Sequence, residues 1–222
     1  MQPPTFAPQR KNDMPEEITD KPDKRQLLMD TAERLFAERG FEAVSVRDLA
    51  AEAGVNLAMV SYYFGSKEGL FEAIIEAKIP RTRQALEHLL KSDLTPWEKL
   101  SQTIDIYVDK MLSTRNFSRV IMREMSLQQR PEFVASITNQ IRLNMEIIRG
   151  FLREGMEKGH FRYVDEELTL ATIFGTISTM VHSTPLVCAM IKDADEKTIF
   201  SEAHRGRLKT HLKAVLQAHL RL

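Results

Sequence analysis

Ser45 to Lys67, SVRDLAAEAGVNLAMVSYYFGSK, is the stretch that decides the fold. Ser45 is suited to cap a helix with Asp48 as the acidic partner of a capping box, and Val46, Leu49, Ala50 and Ala53 follow at helical spacing until Gly54 stops the run. Asn56 is a strong N-cap, so a second short helix starts almost at once and carries Val60 and Phe64 on one face. Two short helices joined by a tight glycine turn make a helix-turn-helix over about residues 45–64.

From Ala53 to Ser66 no residue is charged, although a solvated helix face is normally rich in Lys and Glu. Small uncharged side chains flanked by Tyr and Lys suit close approach to base edges and phosphates in a major groove. The surface expected to meet DNA comprises Ser45, Val46 and Arg47 before and on the first motif helix, Asn56, Leu57, Ala58, Ser61, Tyr62 and Tyr63 on the second, and Lys67 just beyond. The competing reading is two plain core helices of an all-α domain, because helix-turn-helix patterns are weakly specific by spacing.

The longer run from Arg25 to Ile75 resembles the N-terminal domain of the tetracycline-repressor (TetR) family of bacterial transcription regulators. Its landmarks are Ala32, Phe36, Gly40, Phe41, Val46-Arg47-Asp48-Leu49-Ala50, Ala53-Gly54-Val55, Tyr62-Tyr63-Phe64 and Ser66-Lys67-Glu68. The rest of the chain resembles the family only in being helical and of the expected length. Leu57 stands where many members carry a polar or basic residue, Ser61 where many carry Tyr and Tyr63 where His is common, which bears on the operator sequence rather than on the binding mode. The resemblance implies a homodimer on a pseudo-palindromic double-stranded operator. It also implies a C-terminal pocket for a small-molecule effector, and a four-helix dimer interface made by the last two long helices.

A chain of 222 residues with 43% hydrophobic and 28% charged residues reads as an ordinary soluble globular protein. Its single cysteine, Cys188, excludes an internal disulfide framework, fits a reducing cytoplasm and lies in an apolar run where it reads as a small core residue. The formal net charge is +0, so placement rather than surplus must attract DNA, and Arg47 and Lys67 bracket the uncharged motif surface.

Residues 1–22 hold five of the nine prolines and read as a disordered arm. The helix-turn-helix domain is expected over 23–80, opened by a helix from about Asp23 to Arg39, and the ligand-binding and dimerisation domain over 81–222. A fourth helix capped by Ser66 meets Pro80, where a kink or break is expected. Thr95-Pro96-Trp97-Glu98 reads as cap, first-turn proline and capping-box Glu of the next helix. Helices from Asn116 to Arg130 and from Pro131 to Lys158 follow, then an uncharged segment capped by Asp165, and a last helix over about Glu196 to Leu220. With no strand pattern anywhere, the fold class is all-α with about nine helices. The uncharged segment between Glu167 and Lys192 has the length of a membrane span, but His182 and Pro185 interrupt it, and a helix buried on two sides is the simpler reading. No membrane is expected as a partner.

No catalytic motif, cofactor loop or metal-ligand spacing is present. His204, His211 and His219 read as a polar fringe of one helix rather than as a metal site. The central helices are rich in Met, which suits either plain core or an adaptable pocket. Tyr107, Met111, Arg123, Glu124, Met145 and His182 are the candidates for the pocket that the resemblance implies. Gly175, Ile177, Ser178, Leu208 and Leu212 are those for the dimer interface. The reading is a ligand-responsive, sequence-specific DNA-binding transcription regulator, a repressor released from its operator by a small molecule. An all-α interaction module with a vestigial motif and a helical enzyme are its rivals.

Overall fold

The computed structural model describes residues 23–192, 194–195 and 198–222; the expected N-terminal arm lies outside them. Among the described residues there are ten α-helices and no strand: α1 (Lys24–Arg39), α2 (Val46–Glu52), α3 (Ala58–Phe64), α4 (Lys67–Leu90), α5 (Pro96–Ser113), α6 (Arg115–Leu127), α7 (Pro131–Glu157), α8 (Glu166–His182), α9 (Thr184–Met190) and α10 (Glu202–Leu220).

Helix starts fall where the side chains can satisfy the free N–H groups of a first turn. Asp23, Ser66, Asp165 and Ser201 each accept a backbone N–H, and the Ser45–Asp48 and Thr95–Glu98 capping boxes both close. Asn56 caps from one residue further out than expected: its Oδ1 accepts the Ala58 N–H at 2.9 Å, while Leu57 occupies the cap position itself. The left-handed φ of +63° at Gly54 turns the chain between α2 and α3.

Two expectations are corrected, and one alternative is decided: of the kink or break expected at Pro80 there is no break, α4 being one helix from Lys67 to Leu90. Beyond the proline, Arg83 donates to Asn144 Oδ1 at 3.3 Å and to Gln140 Oε1 at 2.5 Å on α7, and these ties hold the helix past its missing N–H. The uncharged segment is not one helix but two, bent by 103°, and no single described helix is long and apolar enough to cross a membrane. Pro185 lacks an N–H and crowds the carbonyl of Val181, so α8 ends at His182 and α9 restarts with the proline in its first turn. The last helix begins at Glu202 rather than near 196, because the Ser201 hydroxyl accepts the His204 N–H and residues 198–200 form a turn.

The buried side chains form two clusters. The first holds the apolar faces of α1 to α3 and the first half of α4, but it also includes Phe117, Val120 and Ile121 of α6 and Phe133 and Ile137 of α7. Phe71 and Phe133 meet edge to face at 5.0 Å across that junction. The first core thus draws on α6 and α7 from beyond residue 80, and α4 runs through that position from one cluster to the other. The second cluster joins the end of α4 to α5, α7, α8 and α10. Ile177, Leu208 and Leu212, expected between two copies of the chain, belong to this core at 0, 7 and 2% exposure, since the apolar stripes of α8 and α10 are consumed by α5 and α7. Gly175 alone of the five expected interface residues is exposed.

Candidate nucleic-acid interface and effector cavity

α3 is short and owes its position to one fully buried side chain, Val60, with Met59, Tyr63 and Phe64 packed partly on the same core. Its other face is open. Leu57 is 44% exposed and Tyr62 81%, and Ala58, Ser61 and, on α2, Arg47 are exposed as well. Tyr62 meets Tyr63 edge to face at 5.1 Å, which orients an otherwise free phenol. The open face thus presents Leu57 and Tyr62 among small uncharged side chains, with no charge between Ala53 and Ser66.

The remaining residues expected at the interface have structural duties. Ser45 donates its hydroxyl to Asp48 at 2.6 Å and Asn56 caps α3. Val46 and Tyr63 are half-buried against the head core. Lys67 requires a correction. Its ammonium donates to the carbonyls of Phe41 at 3.0 Å and Val44 at 3.1 Å and sits 4.2 Å from the Phe41 ring centroid. Lys67 thus tethers the loop between α1 and α2 rather than reaching outward for a phosphate, because two loop carbonyls and the Phe41 ring are nearer partners for its ammonium.

A cavity of about 250 Å³ opens between α4, α5, α6, α7 and α8. Four of the six expected pocket residues line it: Tyr107, Met111, Met145 and His182. Arg123 and Glu124 do not. Arg123 is exposed on α6 with its guanidinium against Gly40, where an added Cβ would meet Arg123 Cζ at 2.6 Å. Glu124 is 2% exposed and pairs with Arg130 at 2.8 Å. Both are one helical face away from the cavity, the face that α6 turns to the head.

Sequence reasoning missed Lys110, Thr82, Asn144, Phe174 and Ser178, which also line the cavity. The signal for Lys110 was its spacing, since Tyr107, Lys110 and Met111 share one face of α5 at three- and four-residue intervals, continued by Thr114 at its C-cap. Tyr107 packs edge to face on Phe174 at 4.6 Å, and burial holds its phenol above the ordinary range. Burial pushes the Lys110 ammonium down to about 8, helped by the like charges of Lys78 and Arg81. Burial and the nearby Arg119 also hold the His182 imidazole below its usual value, and its Nε2 is buried without a hydrogen-bond partner. Apolar walls with a few convergent polar groups are what a small-molecule site requires. Larger open grooves lie on the outside of α10, but this cavity reaches the linking helix α4, through Ile79 and Thr82, and the α6 residues Phe117 and Ile121 that belong to the head core.

Two family models match the chain: "Bacterial regulatory proteins, tetR family" over residues 28–74, and "Tetracyclin repressor-like, C-terminal domain" over residues 93–182. The chain is 27% identical over 159 residues to the fatty acid metabolism regulator protein of Bacillus subtilis, covering 71% of this chain and 81% of that one. It is 27% identical over 157 residues to the HTH-type transcriptional repressor KstR2 of Rhodococcus jostii, covering 69% and 76% of the two. Its fold matches that of the regulator FadR from Bacillus subtilis in complex with stearoyl-CoA, with a TM-score of 0.67 and 22% identity over 88% of this chain and 99% of that one. With a helix-turn-helix whose reading face is uncharged and open, and a helical body holding a lined cavity, the chain belongs to the tetR family of bacterial regulatory proteins and is a ligand-responsive, DNA-binding transcriptional repressor.

Proposed function

We propose that the protein works in the cytoplasm as a homodimer on a pseudo-palindromic operator, with Arg47 and Tyr62 positioning each head on phosphates and Leu57, Ala58, Ser61 and the edge of Tyr63 facing the bases. The observation that carries this reading is the exposed, uncharged face of α3 over a single buried anchor, Val60. Two such faces about 34–36 Å apart enter successive major grooves, so any ligand that favours another spacing lowers operator affinity by its differential binding to the two states. The cavity between α4 and α8 is the effector site in this reading. A largely apolar effector is supported by its walls and by the two matched regulators named for fatty acid metabolism and bound to stearoyl-CoA.

A copy-to-copy interface on the outer faces of α8 and α10 is supported by the exposed small residues Ala171, Thr172, Gly175 and Thr179 on one helix and Gly206, Thr210 and Ala214 on the other. Small side chains let helices approach closely, and α8 carries no Lys, Arg, Asp or Glu beyond Glu167, although α10 presents Arg207 beside them. The deciding experiment is a gel shift against the DNA flanking the protein's own coding sequence. A salt-sensitive, sequence-preferring shift is expected from the full chain. Its absence at every salt concentration removes the DNA-binding reading and leaves the interaction-module alternative.

A further inference from the structure

Lys110 is the only formally cationic side chain among the described residues that line the cavity, and it has no anion. Its ammonium donates to the Lys78 carbonyl at 2.6 Å and to the Thr82 hydroxyl, both on α4. The charges that act on it, those of Lys78 and Arg81, share its sign and depress its proton affinity. A half-buried ammonium among like charges is under-compensated, and the neutral dipoles of one carbonyl and one hydroxyl make up only part of the hydration it has lost. The other end of the need is also present in the same walls, where His182 Nε2 is buried without a partner. The remaining lining is apolar: Ile79, Met111, Phe117, Met145 and Phe174 dominate it.

We propose that Lys110 is the anchor for an acidic group on the effector, which is a small amphiphile with one carboxylate and an apolar body, and that binding draws the ammonium of Lys110 away from its two oxygen partners on α4. The inference rests on the cavity being the effector site. A carboxylate adds the attraction of opposite charge, which neither the Lys78 carbonyl nor the Thr82 hydroxyl supplies, so the acid competes directly with Lys78 and Thr82 for the same ammonium. Loss of that tie loosens α4 from α5 at Lys78 and Thr82, on the two sides of Pro80, and α4 is the helix that runs from Lys67 at the DNA-binding head to Leu90 in the body. The coupling then has a named contact, present without effector and absent with it, as a two-state mechanism requires.

The test uses the full-length protein and three probes that share one eight-carbon tail: octanoate, octan-1-ol and octylamine, titrated by calorimetry at neutral pH. Octanoate is expected to bind at least about tenfold more tightly than octan-1-ol, with octylamine weakest. Lys110→Met is expected to abolish that preference while retaining octan-1-ol, and Lys110→Arg to keep it. Octanoate is also expected to weaken operator binding by the parent and by Lys110→Arg, but not by Lys110→Met. Equal affinity of the parent for octanoate and octan-1-ol overturns the anchor and leaves the cavity reading standing. Binding of none of the three removes the cavity reading and the anchor with it. A preference for octanoate that survives in Lys110→Met places the acid elsewhere and also overturns the proposal. The comparison of heads on the parent and the Lys110→Arg variant decide the matter even if Lys110→Met fails to fold.

Discussion

The guanidinium of Arg130 lies 2.8 Å from the buried carboxylate of Glu124 and 4.3 Å from the ring centroid of Phe41, so one side chain at the start of α7 joins α6 to the first loop of the DNA-binding head. A second ion pair, to Glu42, completes the junction. Glu124 is 2% exposed, and removing its partner strands a charge inside the protein. Arg130→Met is expected to destabilise the fold by about 3–5 kcal/mol, with most of that recovered in the double variant Arg130→Met/Glu124→Gln. Urea denaturation checks this, and a double variant no more stable than Arg130→Met would show that the loss is packing on Phe41 rather than the orphaned carboxylate.

Lys67 and Arg47 are expected to fail differently. Lys67→Met leaves the Phe41 carbonyl with only the Val44 N–H as a donor and removes the ammonium from the Val44 carbonyl, so it should lower stability by about 1–3 kcal/mol and leave the salt dependence of operator binding unchanged. Arg47 is exposed on α2, and if it neutralises one phosphate in each half-site, Arg47→Ala should flatten the plot of log affinity against log salt by roughly two units per dimer without changing stability. A flattened slope in Lys67→Met would return that residue to the phosphate backbone.

Assembly and folding separate at two neighbouring positions of α8. A Cβ added at Gly175 meets nothing within 4 Å among the described residues, whereas Ile177 is fully buried. Gly175→Arg should therefore fold normally and shift sedimentation from dimer to monomer, while Ile177→Arg should fail to fold. A Gly175→Arg variant that stays dimeric would move the interface off this face.

Stability should rise with pH from about 8 to about 10. Burial lowers the Lys110 value from 10.5 to about 8, so in that window the unfolded chain holds a proton that the folded chain has released, and raising the pH favours the fold. Above 10 the trend should reverse, since Tyr107 is held above its ordinary value of 10.0 and the unfolded phenol ionises first. Denaturation midpoints measured across this range in the parent and in Lys110→Met check the assignment. The rise should be largely lost in the variant, and an unchanged rise would assign it to other groups.

The local grammar of the chain is legible in its residues alone. Ser45, Ser66, Thr95 and Asp165 announce helix starts because their side-chain oxygens have only nearby N–H groups to satisfy, and Gly54 announces a turn because its backbone angle is open to few other residues. Helix periodicity shows the apolar stripe of each element, but not which neighbour consumes it. For that reason Ile177, Leu208 and Leu212 look like an interface between chains, and packing makes them core. Spacing likewise places Met111 and Met145 on inward faces without showing that Lys110 closes the same cavity.

What the sequence determined by itself is therefore the order of the helices, the helix-turn-helix and the uncharged surface of α3, since each depends on contacts within a few residues. What only the tertiary structure decided is where charges go. Lys67 turns in to two carbonyls, Arg130 reaches from α7 to the head, and Lys110 is held without an anion beside α4, because partners 26, 88 and 28 residues away become neighbours only when the helices pack.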